Sequence, residues 1–113
     1  MNKKAFNAQL FQKMSAAQDK YRDWLLEQPP MEILFHAYEY SVREDLLMMM
    51  ENKDLTEAQA KALLKSPSPL EDVYKAWEKQ DTGYMEDLWA TMKNRADEVI
   101  QREQQKSRSE EAR

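Results

Sequence analysis

Residues 25–31 read LLEQPPM, and the paired prolines in this stretch set the architecture of the chain. Proline disfavours helical geometry in the residue before it and lacks an N–H donor, so a helix arriving from the N-terminal side ends at about Gln28. Proline also suits the first position of a helix, so a second helix can begin at Pro30. Because the connection is so short, the spacing predicts an antiparallel helical hairpin.

The first arm of this hairpin is a predicted helix over residues 4–28. Its apolar residues recur at steps of three or four, which places them on one helical face. They are Phe6, Leu10, Met14, Ala17, Tyr21, Trp24 and Leu25. We expect this face to be buried.

The second arm is a predicted helix over residues 30–51, the most apolar of the chain. One broad arc carries Ala37, Met48, Leu34, Tyr38, Met49, Val42, Phe35 and Leu46, at 100° per residue. The opposite side carries Glu32, His36, Glu39 and Arg43. An arc this wide indicates neighbours on two sides, so this helix is expected to be central and its polar row exposed.

Two helix-start signals follow. Thr56-Glu57-Ala58-Gln59 has the pattern of a capping box and predicts a third helix over residues 57–65. Ser68-Pro69-Leu70-Glu71 has the same pattern and predicts the start of the last helix at Pro69.

The length of the last helix depends on the segment Asp81-Thr82-Gly83. The hydrophobic phase continues across this segment, and an interior glycine costs only about 1 kcal/mol relative to alanine. We therefore predict one helix over residues 69–103, bent near Gly83, and a disordered polar tail over residues 104–113. The expected fold is all-α, a small four-helix bundle-like single domain over residues 1–103.

Composition narrows the function classes. The 113 residues include 17 Lys and Arg against 21 Asp and Glu, a net charge of −4, with one Gly and no Cys. The lack of cysteine excludes disulfides and thiol catalysis, and the net charge disfavours a general nucleic-acid-binding surface. Neither a secretory signal nor a membrane span is expected, so we expect a cytoplasmic protein. Acidic residues concentrate in segment 27–58, which holds eight acids and two bases.

His36 is the one imidazole, and it could serve catalysis or metal binding. Glu32 and Glu39 lie one turn either side, but no nucleophile shares their face, and ligands from consecutive turns of one helix make a poor metal site. We expect no catalytic residues, no metal and no cofactor. The row is interpreted instead as an exposed interaction face formed by Glu32, His36, Glu39, Tyr40 and Arg43.

Charged residues also fall on the apolar stripes. Asp45 lies within the arc of the second helix, and Arg95 lies on the stripe of the last helix. Because a buried carboxylate needs a partner, we expect Asp45 to form a structural ion pair with Arg95, or with Arg22 as second choice.

Several strings are distinctive as motifs. They are KYRDWLL at 20–26, QPP at 28–30, HAYEY at 36–40, VRED at 42–45 and LLKSPSPL at 63–70. On these strings the chain resembles, over residues 18–103, a family of small bacterial domains of unknown function found on plasmids and conjugative elements of anaerobic gut bacteria. The resemblance implies a mobile-element accessory protein and carries no assigned activity or functional residue.

The expected function is a non-enzymatic protein-interaction module acting through the acidic helical face. One alternative is an anti-defence protein, an inhibitor of a CRISPR nuclease whose carboxylates stand where phosphates would lie. Another is a homo-oligomeric structural protein joined through Tyr84, Met85, Trp89 and Met92 of the last helix. The expected partner is another protein, such as a host nuclease, or a second copy, with no direct nucleic-acid or membrane contact.

Overall fold

The computed structural model describes residues 2–80 and 83–111, and these form helices without strands. The helices are α1 (Lys3–Leu26), α2 (Pro30–Asn52), α3 (Glu57–Leu64), α4 (Pro69–Glu78) and α5 (Tyr84–Glu111). The predicted all-α fold is confirmed. Within the described ranges no helix is both long and apolar enough to cross a bilayer.

The hairpin forms at the proline pair. The Glu27 N–H donates to the carbonyl of Trp24 at 3.1 Å and closes α1, while Pro29 is extended and Pro30 begins α2. Helix α1 contacts α2, and side chains near the end of α1 meet those near the start of α2. The predicted antiparallel reversal is therefore confirmed.

The two predicted capping boxes have different outcomes. In the first, the Gln59 N–H donates to the Thr56 hydroxyl at 3.1 Å and the Thr56 N–H donates to the Gln59 side chain at 3.0 Å, as predicted. The second is wrong, because the Ser68 side chain makes no capping hydrogen bond. The Ser66 hydroxyl instead accepts from the Ser68 N–H and donates to Asp72.

The prediction of one continuous helix over residues 69–103 is also wrong. Helix α4 ends at Glu78, and Gly83 has φ of 71° immediately before α5 begins. Glycine adopts this left-handed conformation without the steric cost that a Cβ imposes, so it allows the interruption. Helix α5 then continues to Glu111, beyond the predicted end at residue 103. Asp81 and Thr82, which were assigned to the continuous helix, lie outside the described residues.

The chain divides into two compact units, the first ending at Lys79 and the second beginning at Gln80. In the first unit α1 packs against α2, α3 and α4. Its main core cluster consists of Leu10, Met14, Leu47, Ala60 and Leu70, and Leu25 and Tyr74 are buried as well. The second unit contains α5. The single domain expected over residues 1–103 stays a prediction.

Candidate interaction surface

Helix α2 presents to α1 the side that the sequence pattern assigned to solvent. Arg43 is 6% exposed and Leu47 is buried, whereas Leu34 and Phe35 are 70% and 82% exposed. The expectation of an exposed polar row is therefore wrong for Arg43, which is buried, and for His36, Glu39 and Tyr40, which are half-buried. Glu32 is exposed as expected.

Arg43 can be buried because α1 and α2 supply partners for its charge. Its Nη2 lies 2.8 Å from Oε2 of Glu39, one turn earlier on α2. Its guanidinium carbon lies 4.2 Å from the ring centroid of Tyr21 on α1, a cation–π contact. Burial raises the pKa of the Tyr21 phenol above 10.0; the Glu39 charge also raises it and the Arg43 charge lowers it.

Polar side chains of α1 complete this interface. The Gln18 amide donates to the Tyr40 carbonyl at 3.2 Å and to Oε1 of Glu44 at 3.0 Å. Nearer the start of α1, buried Asn7 exchanges two hydrogen bonds with the backbone of Leu55, which lies outside α2 in the segment before α3. The α1–α2 contact thus contains polar groups, which is why the polar side of α2 can face it.

His36 lies at the edge of the same interface. Its ring centroid is 5.4 Å from that of Trp24 in an edge-on contact, and its Nε2 is 3.6 Å from Oε2 of Glu32. The carboxylate of Glu39 is bound to Arg43, so the three side chains do not converge on one point. In residues 2–80 and 83–111, no group of three histidine or carboxylate side chains is arranged to hold a metal ion.

The structure does not form the second-choice ion pair that was predicted between Asp45 and Arg22. Asp45 is exposed, and Arg22 instead lies 3.6 Å from Asp19 and 3.8 Å from Asp23. Arg95 contacts Glu98 at 2.9 Å. Because Asp45 and Arg95 belong to different units, that pair stays a prediction.

The placement of α2 leaves an exposed apolar surface, and most of its residues were assigned to a buried side by the sequence pattern. We call it the α2–α4 face, and it comprises Met31, Leu34, Phe35 and Tyr38 of α2 and Trp77 of α4, all exposed. The α2 residues recur at steps of three and four and form one stripe. The Trp77 indole N–H donates to the Tyr38 hydroxyl at 3.1 Å, which joins the two helices.

An apolar groove of about 310 Å³ lies farther along α2 and α4, where α1 and α3 also contribute to its walls. We call it the methionine groove, and it is lined by Met14, Leu46, Met49, Met50, Leu63 and Val73, with Lys53 and Asp54 also beside it. Leu46 is two turns after Tyr38 on α2, and Val73 is one turn before Trp77 on α4. The helices are therefore antiparallel here, and the groove continues the α2–α4 face.

Comparisons with known proteins give a family and nothing more specific. A search of curated proteins found no match. A search of solved structures found none either. The family model described as "Protein of unknown function (DUF3848)" matches residues 6–100. Because this match covers most of the 113 residues, the chain belongs to that family of proteins of unknown function.

Proposed function

We propose that this protein is a non-enzymatic interaction module that binds an amphipathic helix of another protein along the α2–α4 face and the methionine groove. The observation that carries the proposal is the stripe of large apolar side chains on α2, of which Phe35 is 82% exposed. Contiguous exposed apolar surface of this kind is typical of protein-binding sites. Anchors spaced by three and four residues match the helix-in-groove mode of recognition.

The methionines suit such a groove. Methionine is unbranched and polarizable, so its side chain adapts to the shape of an incoming apolar residue. Met49 and Met50 line the groove together with Leu46 and Val73. A leucine or phenylalanine of the partner helix fits a cavity of this size and chemistry.

The charges around the α2–α4 face and the methionine groove indicate which residue types flank the apolar stripe of the partner helix. Glu32 and Asp45 are exposed on α2, Glu78 follows Trp77 on α4, and Asp54 lies beside the methionine groove together with one base, Lys53. Carboxylates in these positions favour a helix with lysine or arginine beside its apolar stripe, because complementary charge steers association and opposes wrong partners. We therefore propose a basic amphipathic helix as the ligand.

The nucleic-acid-mimic alternative has one supporting observation, the eight acids and two bases of segment 27–58. Three of those acids make internal contacts, Glu32 with His36, Glu39 with Arg43 and Glu44 with Gln18. Fewer carboxylates are then available to imitate phosphates, so the helix-binding proposal is the better supported. If mimicry were the function, saturating protein would inhibit a CRISPR nuclease, and salt would reverse the effect.

The cellular setting is suggested by the KYRDWLL and HAYEY strings, on which the chain resembles a family found on plasmids and conjugative elements. We propose on that basis that the protein is a cytoplasmic accessory protein of a mobile element. In that setting the basic amphipathic helix would belong to another protein of the same cell.

A defined pair of peptides tests the helix-binding proposal. Both are fluorescent 18-residue amphipathic helices with the same leucine stripe, one with lysine flanks and one with glutamate flanks. Fluorescence anisotropy should show tighter binding of the lysine peptide to the full chain. Phe35→Glu should weaken this binding about 10-fold or more, since it places a charge in the centre of the apolar surface.

A matched variant controls for net charge. Gln12→Glu adds the same charge at an exposed position of α1 and should leave binding within about twofold, since it lies away from the α2–α4 face. Equal binding of the two peptides, or equal weakening by the two substitutions, would contradict the proposal. Circular dichroism of each variant establishes that it remains helical.

A further inference from the structure

Helix α5 carries a second apolar stripe. Its members, all exposed, are Met85, Leu88, Trp89, Met92, Val99 and Ile100. At 100° per residue they lie within an arc of about 120°, and the stripe is about 24 Å long at 1.5 Å per residue. Ala96 falls at the middle of the arc, where a small side chain permits close approach of another helix.

We propose that two copies of this chain form a homodimer by packing the α5 stripe of one copy against the α5 stripe of the other. A symmetric dimer uses the same patch on both subunits, so one self-complementary stripe covers its counterpart. The 28-residue helix would also gain stability from such packing, because amphipathic helices depend on tertiary or partner contacts more than on intrinsic propensity.

The exposed apolar area is sufficient for a dimer. With Tyr84 at its edge, the stripe has seven large side chains at about half exposure, on the order of 100 Å² each. Two copies would then bury on the order of 1,400 Å² in total, within the range of about 1,200–2,000 Å² for stable protein interfaces.

The charges of α5 permit self-association. Residues 84–111 hold seven acids and five bases, so the two helices approach with little net repulsion. Lys93 and Arg95 flank the stripe, and Glu103 follows Ile100 on the same face and ends it. The apolar contact is therefore confined to residues 85–100.

Sedimentation equilibrium of the full chain tests the proposal. The wild-type protein should change from the 13.5 kDa monomer to twice that mass as concentration rises through the micromolar range, roughly 1–100 µM. Met92→Glu should raise the dimer dissociation constant about 10-fold or more, because it places two carboxylates in the contact. Gln101→Glu adds the same charge on the opposite side of α5 and should change the constant less than about threefold.

The outcomes separate this inference from the proposed function. A monomeric wild-type protein at about 100 µM would overturn the homodimer, as would a dimer that Met92→Glu and Gln101→Glu weaken equally. Both results leave the helix-binding proposal open, since that proposal depends on Phe35. Conversely, a dimer that Met92→Glu alone disrupts supports the inference whether or not Phe35→Glu affects peptide binding.

Discussion

The guanidinium carbon of Arg43 lies 4.2 Å from the ring centroid of Tyr21, and this contact marks the side of α2 that faces α1. The same guanidinium is bound to Glu39 at 2.8 Å. An arginine with two such partners can be buried between helices, and its burial directs Leu34 and Phe35 to the opposite side.

Replacing Arg43 should therefore destabilise the protein. Arg43→Ala removes the stacking contact and the ion pair and leaves a void beside Tyr21, so we expect unfolding in urea to require about 2 kcal/mol less free energy. The control is Arg22→Ala, which removes a more exposed arginine with two carboxylate neighbours on its own helix. It should cost less than about 0.5 kcal/mol. Equal losses of unfolding free energy in the two variants would contradict a stabilising role for the contacts of Arg43 with Tyr21 and Glu39.

Asn7 should also stabilise the first unit. Its side chain accepts from the Leu55 N–H at 3.0 Å and donates to the Leu55 carbonyl at 2.9 Å, which holds the segment before α3 against α1. Asn7→Ala leaves both backbone groups without this partner and should cost about 2 kcal/mol by urea unfolding.

Asn52 provides the comparison for Asn7. It is exposed and donates one hydrogen bond to the Met48 carbonyl within its own helix. Asn52→Ala should change the free energy of unfolding by less than about 0.5 kcal/mol. If the two alanine variants were equally stable, the bridge from Asn7 to Leu55 would carry no stabilising role.

Stability should fall at alkaline pH in part through Tyr21. Burial, with a smaller contribution from Glu39, raises the pKa of its phenol above 10.0 in the folded protein. The unfolded chain therefore loses this proton at lower pH than the folded chain does. The contribution of the protonated Tyr21 phenol to the free energy of unfolding is therefore fully present below pH 10.0. It is lost as the pH rises through the pKa that this phenol has in the folded protein.

Tyr21→Phe isolates this contribution because it keeps the ring beneath Arg43 and removes the phenol. The free energy of unfolding of the variant should decline less between pH 8 and pH 11, about the range in which a tyrosine titrates, than that of the wild type. An identical decline in wild type and Tyr21→Phe would contradict the assignment.

Local signals in the sequence predicted most of the helix boundaries. The reversal at Pro29 and Pro30 follows from proline's fixed backbone and missing donor, and the start of α3 follows from the side chains of Thr56 and Gln59. These features depend on residues within one turn of each other, so no knowledge of the tertiary packing was required.

The orientation of α2 depends on residues that are distant in the sequence. Periodicity separates an apolar side from a polar side, but it does not reveal that Tyr21 and Gln18 of α1 offer partners to Arg43 and Glu44. The end of α4 was missed for a different reason. The hydrophobic phase continues past Gly83, but this phase carries no information on the backbone conformation there, where φ is 71°. The α2–α4 face was missed because Leu34, Phe35 and Tyr38 were assigned to the buried arc of the second helix.

The orientation of α2 is tested most directly by comparing Phe35→Ala with Leu47→Ala in urea unfolding. We predict that Leu47→Ala costs about 2–4 kcal/mol, since Leu47 is buried against the core, and that Phe35→Ala costs less than about 0.5 kcal/mol, since that ring is 82% exposed. A cost of about 3 kcal/mol or more for Phe35→Ala, with little effect from Leu47→Ala, would contradict this orientation and the interaction surface that depends on it.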